Sequence, residues 1–129
     1  MERRIINPWQ WQDARNYVQA VEVTHATGTL YVSGQTAIDD NGLSSQEGMR
    51  EQLQQSIANL ENVITQSGYQ LSNIVRLNIY TVSAAELFEN FDIFQQWIVN
   101  NDIKQASTVL EVNHLFETLK VELEATVVK

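Results

Sequence analysis

The sequence predicts an α+β fold with two helices on one face of a mixed sheet, in the order β-β-β-α-β-α-β-β. Three patterns predict it. Residues 121–128, VELEATVV, alternate strictly: Val121, Leu123, Ala125 and Val127 point one way, Glu122, Glu124 and Thr126 the other. Met49, Leu53, Ile57, Leu60 and Ile64 recur at steps of three and four, the apolar stripe of a helix. Leu87, Phe91, Phe94 and Ile98 make a second stripe of the same kind. A sheet with one apolar face and two one-sided helices buries all three patterns together.

Taken in order, residues 1–15 form an N-terminal segment holding the only proline, Pro8. Residues 17–23, YVQAVEV, read as the first strand. Residues 30–33 read as the second, entered by a turn at Gly28, and residues 36–38 as a short third. Between those two lies Ser33-Gly34-Gln35. Glycine within a strand pattern marks a bend, a bulge or a close approach by ligand or backbone. The run DDNG at 39–42 predicts a tight turn. Ser44 and Glu47 fit a capping box for the first helix, and Gly68 fits its stop. Gln52, Gln54, Gln55 and Glu61 are expected to face solvent.

Residues 74–82, IVRLNIYTV, make the next strand, with Val75, Leu77, Ile79 and Thr81 on one face and Arg76, Asn78 and Tyr80 on the other. A second helix is expected over about 84–100, capped by Ser83 and Glu86. Residues 107–112 and 120–128 close the sheet. The polar sheet face, with Arg76, Asn78, Tyr80, Glu122 and Glu124, is either solvated or covered by another copy of the chain.

The length of 129 residues fits one domain, 1–129, large enough for its own core. There is no cysteine, so disulfides, thiolate catalysis and cysteine-bound zinc are excluded. His25 and His114 stand alone, without a third ligand at metal spacing, and no metal or other cofactor is proposed. No glycine-rich phosphate loop leads into a helix. The net charge of −8 with scattered basic residues speaks against nucleic acid as a partner. No apolar run is long enough to span a bilayer, and the two N-terminal arginines precede no apolar stretch, so neither membrane nor secretory leader is expected. A cytoplasmic setting is the expectation.

Trp9 and Trp11, in NPWQWQD, are read first as packing residues that hold the N-terminal segment down, with a lid over a cleft as the alternative. Glu122 and Glu124 share a strand face. Two such carboxylates can raise one proton affinity, unless Lys120 or Arg76 neutralises them.

From about Asn16 onward the chain resembles the Rid (YjgF) family of reactive-intermediate deaminases. The resemblance rests on YVQAVEV at 17–23, LYVSGQTAID at 30–39, NLENVITQSGYQLSNIVRLNIYTV at 59–82, ASTVLEV at 106–112 and VELEATVV at 121–128. It implies a chorismate-mutase-like fold, a homotrimer and ligand pockets in the clefts between subunits. It implies that Tyr17, Ser33 and Gly34 line the pocket and that Glu122 positions the attacking water; Thr108 is expected to line the cleft through its hydroxyl. The archetypal branch hydrolyses enamines and imines to oxo acids and ammonia.

One position departs from that pattern. The family reads Pro-Ala-Arg-Ser where this chain reads KQAS, so Ala106 occupies the place of the carboxylate-anchoring arginine. Lys104 and Arg15 are the nearest candidates to replace it, although the first reading of both is as ordinary surface charges. The asparagine that the archetypal branch carries on its second helix falls at Phe91, which the apolar stripe assigns to the core. Two readings therefore stand beside each other: an imine or enamine deaminase, and a non-catalytic metabolite-binding trimer on the same scaffold. Older labels in the family, translation inhibition and endoribonuclease action, fit the acidic charge least.

Overall fold

A computed structural model describes residues 1–129. In chain order the elements are β1 (Glu2–Ile6), β2 (Ala20–Thr24), β3 (Thr29–Gln35), α1 (Met49–Gln66), β4 (Ile74–Thr81), α2 (Ala84–Glu89), α3 (Phe91–Asn100), β5 (Ala106–Glu111) and β6 (Val121–Val128). The main sheet has the order β3-β6-β4-β5. β6 is antiparallel to both neighbours, and β5 is parallel to β4 across the α2–α3 connection. The helices lie on one face, as expected. The core unites α1 residues Leu53, Leu60 and Ile64 with Leu77 and Ile79 of β4 and Val121 and Leu123 of β6, all with no exposed surface.

Several boundaries differ from the sequence reading. The N-terminal segment contains β1, which pairs antiparallel with β2 and sets Arg4 directly opposite Glu22 in a 3.1 Å ion pair. Its residues are exposed almost throughout, so no burial pattern announces a strand. The first expected strand starts three residues late, because residues 17–19 leave β2 and lie against the start of β5. The short third strand is absent. β3 instead continues through Gly34 and Gln35, and Ile38 makes only an isolated bridge to Ser44. The expected helix over 84–100 is two helices, α2 and α3, broken at Asn90, whose side-chain amide donates to the Glu86 carbonyl at 2.9 Å.

In β4, Ile74 rather than Val75 enters the core. The ladder with β6 shifts between Ile74 and Arg76, which turns the first residue inward. The expected cap at Ser44 is not made: Gly48 precedes α1 without a side-chain cap, and Ser44 donates to Glu117 instead. At the second helix the Ser83 hydroxyl does accept from the Glu86 N–H, at 3.2 Å. The DDNG turn forms with Gly42 at φ +79°, and Gly68 at φ +80° follows the end of α1. Both need the left-handed region that glycine enters without strain.

Gln52 is the clearest reversal. It was expected in solvent and is fully buried. Its side-chain amide donates to the carbonyls of Glu47 (3.0 Å) and Thr118 (3.1 Å), and its oxygen accepts from the Lys120 N–H at 2.8 Å. One polar side chain thus ties the lead-in to α1 to the lead-in to β6. Gln52→Ala leaves three backbone groups without their side-chain partner and empties a buried position, and we expect it to cost about 2–4 kcal/mol in urea unfolding. Exposed Gln54→Ala is the control and should change little.

Candidate functional site

Glu122 and Glu124 follow from the alternation of β6, which aims them away from the helices. Glu124 stands opposite Asn78 and Glu122 opposite Tyr80 in the ladder with β4. Glu124 is held: the Asn78 amide and the Tyr80 hydroxyl both donate to its Oε1 at 3.1 Å. Glu122 is different, with no donor on its carboxylate. Burial first, and the neighbouring Glu124 second, push its pKa above the ordinary carboxylate value. Neither expected neutraliser reaches the pair. Lys120 pairs with Glu86 at 3.5 Å, and Arg76 donates to the Thr108 hydroxyl at 3.4 Å.

The Ser33-Gly34-Gln35 stretch has a local reason. Val32 pairs with Ala125 and Gln35 with Leu123, so three steps on β3 match two on β6. This is a bulge, and the extra residue falls at Ser33-Gly34. A Cβ on Gly34 would overlap the Glu122 carboxyl group and lie 2.8 Å from its Cγ. Gly34 is therefore the space in which Glu122 sits. Ser33 is exposed beside it.

Ala106 and Thr108 lie on β5, opposite Arg76 and Asn78 of β4, and so share the polar face with Glu122. Arg76 stands directly across from Ala106, the position that lacks the expected arginine.

Tyr17 lies elsewhere. The Val18 N–H donates to the Gln105 carbonyl at 3.0 Å, and the Gln105 amide donates to the Asn16 carbonyl at 3.0 Å. These two bonds dock residues 16–18 on the outer edge of β5. There Tyr17 joins Arg15, Gln105, Ser107 and Val109 around a cavity of about 480 Å³, closed on the helix side by Phe88, Phe91, Phe94 and Gln95. Phe91 is thus only partly buried and is a cavity wall as well as a core neighbour. Lys104 faces an adjoining cleft and pairs with Asp102 at 3.5 Å. Trp9 and Trp11 do not bury into the core. They stay 55% and 50% exposed and stack on each other at 6.0 Å, with Trp11 meeting the edge of Tyr17.

The residues named from sequence therefore fall into two groups. Glu122, Gly34, Ser33, Thr108 and Ala106 belong to the polar side of the sheet and its bulged edge. Tyr17 belongs to the cavity beyond β5. Two strand spacings, roughly 10 Å, separate β5 from β6. Gln105, Phe88 and Gln95 were not singled out from sequence. Gln105 is 1% exposed, which an uncharged polar residue before a strand does not announce.

Comparison with known proteins follows the same outline. The family described as Endoribonuclease L-PSP matches residues 10–129. A RutC family protein of Aquifex aeolicus is 31% identical over 113 residues, covering 88% of each chain. A protein of Dermatophagoides farinae named 2-iminobutanoate/2-iminopropanoate deaminase is 29% identical, covering 98% of this chain and 96% of its own. The crystal structure of YyfB from Yersinia pestis, described as a Rid family protein of unknown function, superposes with a TM-score of 0.85 at 30% identity over the whole of both chains.

Two outcomes test the Glu122 environment. A carboxyl whose folded pKa is raised contributes stability below its unfolded pKa, and that contribution is lost as pH rises through the folded value. Glu122→Gln should therefore match the parent in thermal midpoint at about pH 3–4 and exceed it at neutral pH. Gly34→Ala should swing the carboxylate out. Since Glu122 has no hydrogen bond to lose, the stability change should stay within about 1 kcal/mol, while the pH dependence assigned to Glu122 disappears.

Proposed function

The chain belongs to the Endoribonuclease L-PSP family, also called Rid or YjgF, and from that premise we propose that it hydrolyses a small imine or enamine in a pocket completed between copies of the chain. An enamine first tautomerises to the imine; water then adds across the C=N bond, its hydroxyl to carbon and one proton to nitrogen, the hydroxyl proton passes to nitrogen as the carbon–nitrogen bond breaks, and an oxo compound and ammonia leave. The overall change consumes water alone and needs no oxidant. The relative from Dermatophagoides farinae bears the name of that activity.

The observation that carries the reading is the contrast between the two carboxylates. Glu124 has its oxygen committed to Asn78 and Tyr80, whereas Glu122 is uncommitted, seated against Gly34 and shifted toward protonation. A carboxylate of raised pKa can take a proton from water and return it to the leaving amine. In this proposal Glu122 places the water, and Ser33 and Thr108 offer hydroxyls to the ligand. Tyr17 closes the pocket from an adjacent copy. The separation of Tyr17 from Glu122 within one chain motivates the shared site, and the open polar sheet face offers a surface for a trimer.

Ala106 favours a second reading, a non-catalytic metabolite-binding trimer, because the usual carboxylate anchor is missing there. A net charge of −8 gives little support to action on RNA, despite the family's description.

The deciding experiment generates imines with an amino-acid oxidase and traps them as semicarbazones. Active protein slows semicarbazone formation. Glu122→Ala should abolish that effect while sedimentation still reports a trimer; undiminished turnover in this variant would end the role assigned to Glu122. Mixing Tyr17→Phe chains with Glu122→Ala chains adds a geometric check. Mixed trimers should exceed either parent in activity, because some of their pockets draw intact residues from different chains. No effect on any imine, with the trimer intact, favours the binding reading.

A further inference from the structure

The cavity beyond β5 holds one charge. Among the residues that line it there is no carboxylate, and Arg15 is its only ionic group, in a chain whose net charge is −8. The Arg15 guanidinium forms none of the chain's four ion pairs. It lies over the Trp11 ring, 5.0 Å from its centroid, an arrangement that restrains the guanidinium without neutralising it. Arg15 ends a 3-10 turn, and the next residue, Asn16, turns left-handed at φ 61° before docking on Gln105. The backbone around the cation is therefore fixed to β5.

The opposite wall is apolar. Phe88 meets Phe91 edge-to-face at 5.3 Å, and Phe91 stacks on Phe94 at 4.9 Å. Phe88 remains 56% exposed, a large aromatic surface left uncovered beside the cavity. A volume of about 480 Å³ lies within the range of small-molecule sites. A ligand with only a methyl or ethyl side chain would leave much of this aromatic wall wet.

We propose that this cavity takes a monocarboxylate with an apolar, ring-bearing body, its carboxylate on Arg15 and its body against Phe88, Phe91 and Val109. The proposal rests on the small-molecule reading above and names the substrate class for it: imino or oxo acids with aromatic or bulky side chains. A guanidinium grips a carboxylate through two parallel N–H donors, and an aromatic wall favours a ring over an aliphatic stub. Arg15 is thus this cavity's own carboxylate anchor, carried by the N-terminal segment, whereas Ala106 stands on the other face of the sheet across from Arg76. Lys104 is paired with Asp102 and faces the adjoining cleft. Arg76 lies on the other face of the sheet, bonded to Thr108.

Calorimetric titration of the intact protein with three probes tests this: phenylpyruvate, pyruvate and benzyl methyl ketone, which lacks the carboxylate. Phenylpyruvate should bind at least roughly tenfold more tightly than either of the others. Arg15→Gln should remove that advantage, Arg15→Lys should keep part of it, and Arg76→Gln should leave it unchanged. The thermal midpoint of each unliganded variant confirms that it folds. Equal binding of pyruvate and phenylpyruvate, full binding by Arg15→Gln, loss in Arg76→Gln alone, or no binding of any probe would each overturn the proposal. The trapping assay separates its failure from failure of the hydrolysis reading. Hydrolysis of the alanine-derived imine without phenylpyruvate binding sinks only this inference. Arg15-dependent phenylpyruvate binding without hydrolysis of any imine upholds it and sinks only the hydrolysis.

Discussion

The pairing of β6 with both β3 and β4 is the constraint on which the rest of the structure depends. It is an interior strand of the main sheet, and both of its faces are in use. Val121, Leu123, Ala125 and Val127 meet the helices, while Glu122 and Glu124 stand on the reverse. A slip of one residue would bury two carboxylates and expose four core side chains, so the register is strongly fixed. That same register sets Glu124 opposite Asn78 and Glu122 opposite Tyr80, and gives the two glutamates different neighbours.

Their difference arises from both flanks of the strand. On the β4 side, Asn78 and Tyr80 satisfy Glu124. On the β3 side, the bulge places Gly34 against Glu122 and leaves its carboxylate in a partly dry position without a donor. An irregularity in one strand thus creates the room for a side chain of the next. The glycine that seems to interrupt a strand in the sequence is a cross-strand feature, fitted to a residue 88 positions later.

The edge of β5 follows a separate logic. Gln105 clamps the Asn16–Val18 stretch through its own backbone carbonyl and its side-chain amide. This brings the N-terminal segment against the helices and forms a cavity from three distant parts of the chain. Its chemistry, one cation facing aromatic rings, is the opposite of the acidic face across the sheet.

The sequence by itself determined the α+β class, the helix stripes, the two-faced strand β6 and the turn glycines at 42 and 68. Each is a local pattern with a period set by backbone geometry, so a single segment carries the information. It also marked Gly34 as a break in a strand pattern and set Glu122 beside Glu124 on one strand face. Tertiary structure decided what depends on partners distant in the chain. β1 is a strand because β2 pairs with it, although its own residues are exposed. Gln52 is buried because three backbone groups need its amide; its helix position, three after Met49, borders the buried stripe, but its polarity reads as solvent-facing. The division of the candidate residues between the sheet face and the β5 cavity, and the placement of Arg15 rather than Lys104 in that cavity, follow from how residues 16–18 dock. Docking is set by hydrogen bonds between residues about 90 positions apart, and no local period encodes such a contact.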